Sequence, residues 1–191
     1  RKEGHAGAER GTVLDLFEVI NYVPIADIML HGRSFEAGHQ GSVDTEMIAR
    51  VKERFHGIIL ANGGITTPAD VVNMLEQTKA DGVGIARGSW GTPWIFQHSR
   101  ALLEDNTVPM MTDAELHSII LRHAELNYLT KGDHGIIEFR KHAGHYLHGR
   151  PGAGQFRRQE VQVTPVDDGR PLVENRVPLR SKTVPLRGAV F

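Results

Sequence analysis

The chain has 191 residues, a formal net charge of −1 at neutral pH and an apolar fraction of 40%. This composition is typical of an ordinary globular protein and excludes an intrinsically disordered chain. No apolar run reaches the length of about eighteen residues that a transmembrane helix needs. The sequence contains no cysteine, which excludes disulfides, thiolate metal sites and a cysteine nucleophile or acid within these residues.

The N-terminal segment is polar and lacks the apolar core of a signal peptide. Its first residue is Arg1 rather than Met, so we expect a fragment or an incomplete gene model. With no cysteine and no targeting segment, a cytoplasmic protein is the default expectation.

The first half of the sequence alternates short apolar runs with helical patterns. Three runs are predicted strands, the first of them buried: Ile25 to Leu30, Gly57 to Ala61 and Asp81 to Ala86. Helices are predicted from Thr12 to Val23, from Asp44 to Phe55, after the Thr67-Pro68 start, and after the Thr92-Pro93 start. This alternation predicts a parallel sheet with crossover helices.

The pattern changes after Glu104. Thr112 and Glu115 form a capping box that begins one helix, and a second helix is predicted from Gly135 to about His148. A short helix around Gln155 to Val161 and a loose tail after Thr164 follow. We expect an α/β protein with residues 1–105 as the last βα units of a (β/α)8 TIM barrel, 106–164 as a small all-α helical domain, and 165–191 as a flexible tail. A complete barrel needs about 250 residues and eight βα units, so this chain holds the end of one at most.

Two glycine-containing turns follow the second and third predicted strands. They are Asn62-Gly63-Gly64 and Ala86-Arg87-Gly88. Backbone N–H groups in such loops bind anions, and the last two loops of a (β/α)8 barrel commonly hold a phosphate. A glycine pair alone often marks only a turn with positive φ, but the two loops together favour a phosphate site. Arg87 can add a charge-assisted contact or can form a salt bridge at the barrel rim.

The predicted helical domain carries an excess of positive charge. From Lys131 to Arg158 it has six Lys or Arg against two acids, with four histidines besides. Lys141, His145 and His148 lie on the side of the second helix opposite its apolar stripe, which fits contact with a nucleic-acid backbone. A metal site is disfavoured because no carboxylate stands at ligand spacing. Trp90 and Trp94 are interpreted as packing residues rather than stacking platforms.

Several motifs together resemble one family, the tRNA-dihydrouridine synthases. The match rests on His31-Gly32-Arg33-Ser34, Asn62-Gly63-Gly64-Ile65, Ile85-Ala86-Arg87-Gly88, Gly91-Thr92-Pro93-Trp94-Ile95-Phe96, Phe139-Arg140-Lys141-His142 with Tyr146-Leu147, and Gln155-Phe156-Arg157-Arg158. Two positions depart from the family pattern: Gly64 stands where Asp is common and Ala86 where Gly is common. The resemblance covers roughly residues 26–161, the C-terminal portion of such an enzyme.

The resemblance implies an FMN cofactor reduced by NADPH, and hydride transfer from the flavin to a uridine of tRNA, giving 5,6-dihydrouridine. It assigns Asn62, Gly63, Gly64, Ala86 and Arg87 to the FMN phosphate, and His31 and Arg33 to the isoalloxazine or the uracil. Residues for tRNA contact are Arg140, Lys141 and His142. The family's catalytic cysteine belongs to an earlier strand, so this chain contains no catalytic residue, lacks the N-terminal half of the barrel and is expected to be inactive alone.

Two alternatives remain open at this point. A phosphate-binding TIM-barrel isomerase or synthase would use the same two loops but would not need a basic helical domain. A non-catalytic RNA-binding remnant would keep the half-barrel only as a scaffold.

Overall fold

The computed structural model describes residues 13–33, 41–146 and 148. These residues form two compact units. The first comprises the described residues up to Ser89 together with Trp94–Val108, and the second comprises Trp90–Pro93 and the described residues from Pro109 onward.

A parallel sheet of three strands forms the centre of the first unit. The strands are β1 (Asp27–His31), β2 (Ile58–Asn62) and β3 (Gly82–Gly84), in the order β1-β2-β3. Ile28 of β1 lies opposite Ile59, and Leu60 lies opposite Gly82 of β3. Parallel strands joined by crossovers end at the same edge of a sheet. The predicted α/β class with a parallel sheet is confirmed.

The described residues of this unit form four α-helices: α1 (Val13–Ile20), α2 (Thr45–Lys52), α3 (Pro68–Thr78) and α4 (Ile95–Asp105). Two predicted N-caps are confirmed. Asp44 accepts the backbone N–H of Met47 at 2.8 Å, and Thr67 forms a capping box with Asp70 at the start of α3. These caps fix where the chain leaves the strand edge and enters each helix.

One face of the sheet is buried against the helices. Ile59 and Ala61 of β2 are 0% exposed. They pack with Leu14, Phe17, Ile48, Val51, Phe55, Ile65, Val71, Met74, Ala80 and Ile95. On the other face, Met29 and Ile58 are 56% and 50% exposed. The prediction that the first apolar run is a buried strand is therefore wrong for one face, because the described helices cover only the other.

Two further element predictions need correction. The third strand runs from Gly82 to Gly84 instead of from Asp81 to Ala86. Asp81 lies just before it, where its carboxylate accepts the Ile59 N–H at 2.8 Å and forms an ion pair with Lys52. The next helix begins at Ile95, after Trp94, with no side-chain cap. The predicted cap at Thr92 is wrong because Trp94 is already in the right-handed helical conformation, so the chain enters α4 from a turn.

The second unit contains α5 (Asp113–Lys131) and α6 (Asp133–Tyr146), packed against each other. The predicted capping box of Thr112 and Glu115 is confirmed. The buried rows are Leu116, Ile120 and Ala124 on α5, and Ile136, Phe139, Ala143 and Tyr146 on α6. Leu147, the helix expected around 155–161 and the tail after 164 lie outside the described residues.

Gly135 is a point of close approach between α5 and α6. A Cβ atom built on Gly135 would lie 2.0 Å from the Asn127 carbonyl oxygen of α5, closer than any real contact. A Cβ atom built on Gly144, in the same helix, would meet nothing within 4 Å among the described residues. The two glycines share a helix and differ in the space around them.

This difference yields a paired prediction. Gly144→Ala should raise the free energy of unfolding by roughly 0.5–1 kcal/mol, because alanine is the better helix former. Gly135→Ala should lower it despite the same gain in propensity, because the methyl group pushes α5 and α6 apart. Urea unfolding followed by circular dichroism measures both. Equal shifts for the two variants would contradict the close packing at Gly135.

Candidate functional site

The carboxyl ends of β1 and β2 are joined by a small set of hydrogen bonds. The Gly32 N–H donates to the Asn62 carbonyl at 3.1 Å, and Nδ1 of His31 lies 3.2 Å from the same oxygen. A carbonyl can only accept, so this contact places the ring proton on Nδ1 and leaves Nε2 of the neutral imidazole as an acceptor. His31 is an exposed side chain with a fixed ring orientation at the strand edge.

The turn after β2 needs its two glycines. Gly63 and Gly64 have φ values of +126° and +71°, a region that side-chain-bearing residues rarely adopt. A Cβ on Gly63 would lie 3.2 Å from the His31 ring, and one on Gly64 would lie 3.6 Å from the Arg33 guanidinium. Within the described residues, the backbone N–H groups of both glycines make no hydrogen bond.

Arg33 and Asn62 are both partly engaged in holding this edge together. The Arg33 Nε donates to the Gly41 carbonyl at 2.5 Å, which fixes the guanidinium beside the turn. The Asn62 side-chain nitrogen donates to the Gly84 carbonyl at 2.8 Å, so it braces the end of β2 against β3. The structure therefore brings His31, Arg33 and the glycine turn together.

The turn after β3 packs directly against the turn after β2. Arg87–Ser89 form one turn of 3-10 helix, in which the Ser89 backbone N–H and hydroxyl both donate to the Ala86 carbonyl, at 3.0 and 2.8 Å. A Cβ on Gly88 would lie 2.1 Å from the Ile65 carbonyl oxygen, so only glycine fits there. The Arg87 side chain is exposed, and it has no hydrogen bond or ion pair among the residues that the structure describes.

Asp70 holds the first of these turns in place. Its carboxylate accepts the backbone N–H groups of Thr66 and Thr67 at 2.9 and 2.8 Å, and the Thr66 hydroxyl at 2.9 Å. Burial raises the pKa of Asp70, but these hydrogen bonds outweigh it and the net pKa lies below the ordinary value.

In the second unit, the three residues expected to contact RNA point in different directions because they are consecutive on α6. Lys141 is exposed, Arg140 is partly buried, and the His142 ring lies 5.1 Å from that of His123 on α5. Nδ1 of His123 lies 3.0 Å from the Tyr146 hydroxyl. Burial and the neighbouring His142 lower the pKa of His123. The ring contact of His142 with His123 shows that this side of α6 belongs to the packing between the helices.

One surface feature was missed from the sequence. Trp90, interpreted as a packing residue, is 51% exposed, and its ring lies 5.3 Å from that of His145. The two residues are far apart in the sequence, and only the fold brings them together.

The described residues show neither a metal-binding cluster nor a membrane-spanning helix. They contain no group of three or more His, Asp or Glu side chains arranged to hold a metal ion. None of the helices in the described part of the chain is long and apolar enough to cross a membrane.

These contacts define a class of protein. It is an α/β protein in which two glycine-containing loops, one of them bearing an arginine, lie together at the carboxyl edge of a parallel sheet. The family model described as "Dihydrouridine synthase (Dus)" matches residues 8–181. The chain therefore belongs to the dihydrouridine synthase family, and the resemblance stated from the motifs is confirmed.

Curated relatives agree with this assignment. The "Probable tRNA-dihydrouridine synthase" of Mycobacterium tuberculosis is 35% identical over 160 residues, covering 82% of this chain and 41% of the relative. The "tRNA-dihydrouridine synthase B" of Pseudomonas syringae is 33% identical over 146 residues, covering 75% of this chain and 43% of the relative. The chain thus spans about two fifths of the length of these relatives.

The role of Asp70 leads to a pH prediction. Its folded pKa is depressed, so its stabilisation is present above the unfolded pKa of about 4 and is lost as the pH falls through the folded value. The protein should lose stability below about pH 5, and Asp70→Asn should flatten that fall while lowering stability at pH 7. Urea midpoints from pH 7 down to pH 2 measure this. Parallel curves for the two proteins would show that Asp70 does not hold the turn.

Proposed function

We propose that this chain is the C-terminal part of a tRNA-dihydrouridine synthase. In this proposal the first unit is the end of a (β/α)8 barrel and holds the phosphate of FMN. The second unit is the helical domain that contacts tRNA, and the protein acts in the cytoplasm. The observation that carries the proposal is the packing of the turn after β3 on the turn after β2, beside Arg87, which has no partner among the described residues.

The donors at this edge fit a phosphate. The Gly63 and Gly64 N–H groups make no hydrogen bond within the described residues, and the absence of side chains lets an anion approach the backbone. Arg87 is exposed and can form a bidentate, charge-assisted contact with phosphate oxygens. The departures at Gly64 and Ala86 from the family pattern leave this donor set intact, because backbone amides supply the contacts. Asn62 acts here chiefly by bracing the strand ends.

The flavin would supply the hydride for reduction of the uracil ring, after its own reduction by NADPH. His31 and Arg33 stand on the same edge, where they can orient polar groups of the flavin or the uracil. With Nδ1 directed at the Asn62 carbonyl, Nε2 is the ring nitrogen of His31 that can contact a ligand. Arg33 can donate from the guanidinium nitrogens not engaged by Gly41.

The proton donor is not supplied by this chain. The family resemblance implies a cysteine for that step, and the 191 residues contain none. We therefore propose that these residues bind and position, and that the chain alone does not form dihydrouridine.

On the RNA side, the proposal assigns Arg140, Lys141 and His142 to tRNA. Lys141 is the exposed member of the three and can reach a phosphate without repacking α6. A uridine in folded RNA is stacked and paired, so it has to be splayed out before its ring can be reduced. A separate RNA-holding surface fits that requirement.

The phosphate site is tested with a pair of ligands that differ only in the phosphate. Ribitol 5-phosphate should shift the backbone amide signals of Gly63, Gly64 and Gly88 in two-dimensional NMR, whereas ribitol should leave them in place. Arg87→Ala should weaken the binding about tenfold or more, since a hydrogen bond to a charged group contributes about 1.5–3 kcal/mol.

Arg54→Ala is the matched control, because Arg54 is also exposed in the first unit but precedes β2 at the opposite end of the strand. It should leave the affinity unchanged. Equal responses to ribitol and its phosphate, or equal losses for the two arginine variants, would contradict the proposed phosphate site.

A further inference from the structure

The second unit presents a lysine and two histidines along one side of α6 and its C-terminal turn. Lys141, His145 and His148 are all exposed. Their spacing of four and then three residues places them on one side of α6 and its C-terminal turn, where the His148 N–H donates to the His145 carbonyl. We call these three residues the outer stripe of α6.

Trp90 lies against this stripe. Its ring centroid is 5.3 Å from that of His145, with the planes inclined by 53°, and 51% of the residue remains exposed. A tilted contact with one imidazole fixes the indole while leaving much of its surface open. The half-exposed indole therefore offers an aromatic surface beside a histidine.

Glu138, the acid of α6 nearest to Lys141 in the sequence, already has partners. Glu138 lies one turn before Lys141, and its carboxylate forms ion pairs with Lys131 and with His134, the latter at 3.3 Å. The hydrogen bond from Lys131 is the main cause that lowers the pKa of Glu138. Lys141, in contrast, has no ion pair within the part of the chain that the structure describes.

We propose that Trp90 and the outer stripe of α6 bind an unpaired nucleotide of RNA. The base stacks on the indole, and Lys141, with the histidines beside it, contacts the adjacent phosphates. Stacking on an aromatic side chain is how proteins hold single-stranded bases, and nearby cations supply the affinity for the backbone. This inference rests on the proposed function in one respect, namely that RNA is the substrate.

The surroundings of Trp90 favour RNA over a protein partner. The centre of a protein interface is depleted of charged residues, so an aromatic anchor for a protein is usually ringed by apolar groups. The stripe beside Trp90 instead carries a lysine and two histidines, while the carboxylate of Glu138 is paired with Lys131 and Asp133 lies in the first turn of α6, at the other end of the helix. That combination complements a polyanion with exposed bases.

The experiment compares two fluorescently labelled RNAs, measured by anisotropy with the full chain at low salt. One is a hairpin with a loop of unpaired uridines, and the other is a blunt duplex of the same length. Trp90→Ala should weaken binding to the looped hairpin about fivefold or more and leave duplex binding nearly unchanged, because only unpaired bases can stack on the indole. Trp90→Phe should keep most of the hairpin affinity.

Two further variants complete the design. Tyr22→Ala is the matched control, since Tyr22 is an 88% exposed aromatic residue of the first unit and should have no effect. Lys141→Glu should weaken binding to both RNAs and reduce the dependence of log K on log salt, because a phosphate contact is lost. It removes an exposed side chain, so it tests the surface even if Trp90→Ala perturbs folding.

The outcomes separate the inference from the proposed function. If the chain binds the hairpin and neither Trp90→Ala nor Lys141→Glu weakens it, the stacking surface is wrong while RNA binding stands. If the chain binds neither RNA, the inference and the RNA half of the proposed function both fail. Selective loss of hairpin affinity in Trp90→Ala, with Tyr22→Ala unchanged, supports the stacking surface.

Discussion

The contact on which the site depends is the packing of Gly88 against the Ile65 carbonyl oxygen. A single methyl group at Gly88 would lie 2.1 Å from that oxygen, so the two turns can meet only because this position has no side chain. The contact places Arg87 beside the glycine turn that follows β2. The Asn62 side chain donates a hydrogen bond to β3, and the Thr66 and Thr67 N–H groups donate to the Asp70 carboxylate; together these bonds hold the same turn. Binding groups held this way lose little freedom when an anion arrives.

Much of the secondary structure of the first unit could be predicted, because its sequence signals depend on neighbouring residues. Thr67, Pro68 and Asp70 mark the start of α3 by cap chemistry that depends on three or four neighbouring residues. The errors arose where a distant partner decides the outcome. Met29 is apolar yet half-exposed, because periodicity shows which residues share a face of a sheet but not which face is covered. The Asp81 carboxylate pairs with Lys52 and accepts the Ile59 N–H, and both partners are distant in the sequence.

The candidate site shows the same division. The glycines at 63, 64 and 88 could be identified from their position after predicted strands, and the phosphate interpretation followed. The contacts of Arg33 with Gly41 and of Asn62 with Gly84 could not, because each joins elements whose relative position no local pattern fixes. On α6, the sequence assigned the adjacent residues Arg140, Lys141 and His142 to RNA as a group. Successive residues of a helix are rotated by about 100°, so the three side chains point in different directions. His142 turns toward His123, and Trp90 instead meets His145.

A crystal structure of the chain grown with ribitol 5-phosphate would show directly whether the two turns hold a phosphate. We expect phosphate density within hydrogen-bonding distance, about 2.7–3.2 Å, of the Gly63 or Gly64 N–H and of the Arg87 guanidinium. Phosphate density elsewhere on the molecule, with these two turns empty at saturating ligand, would contradict the proposed phosphate site.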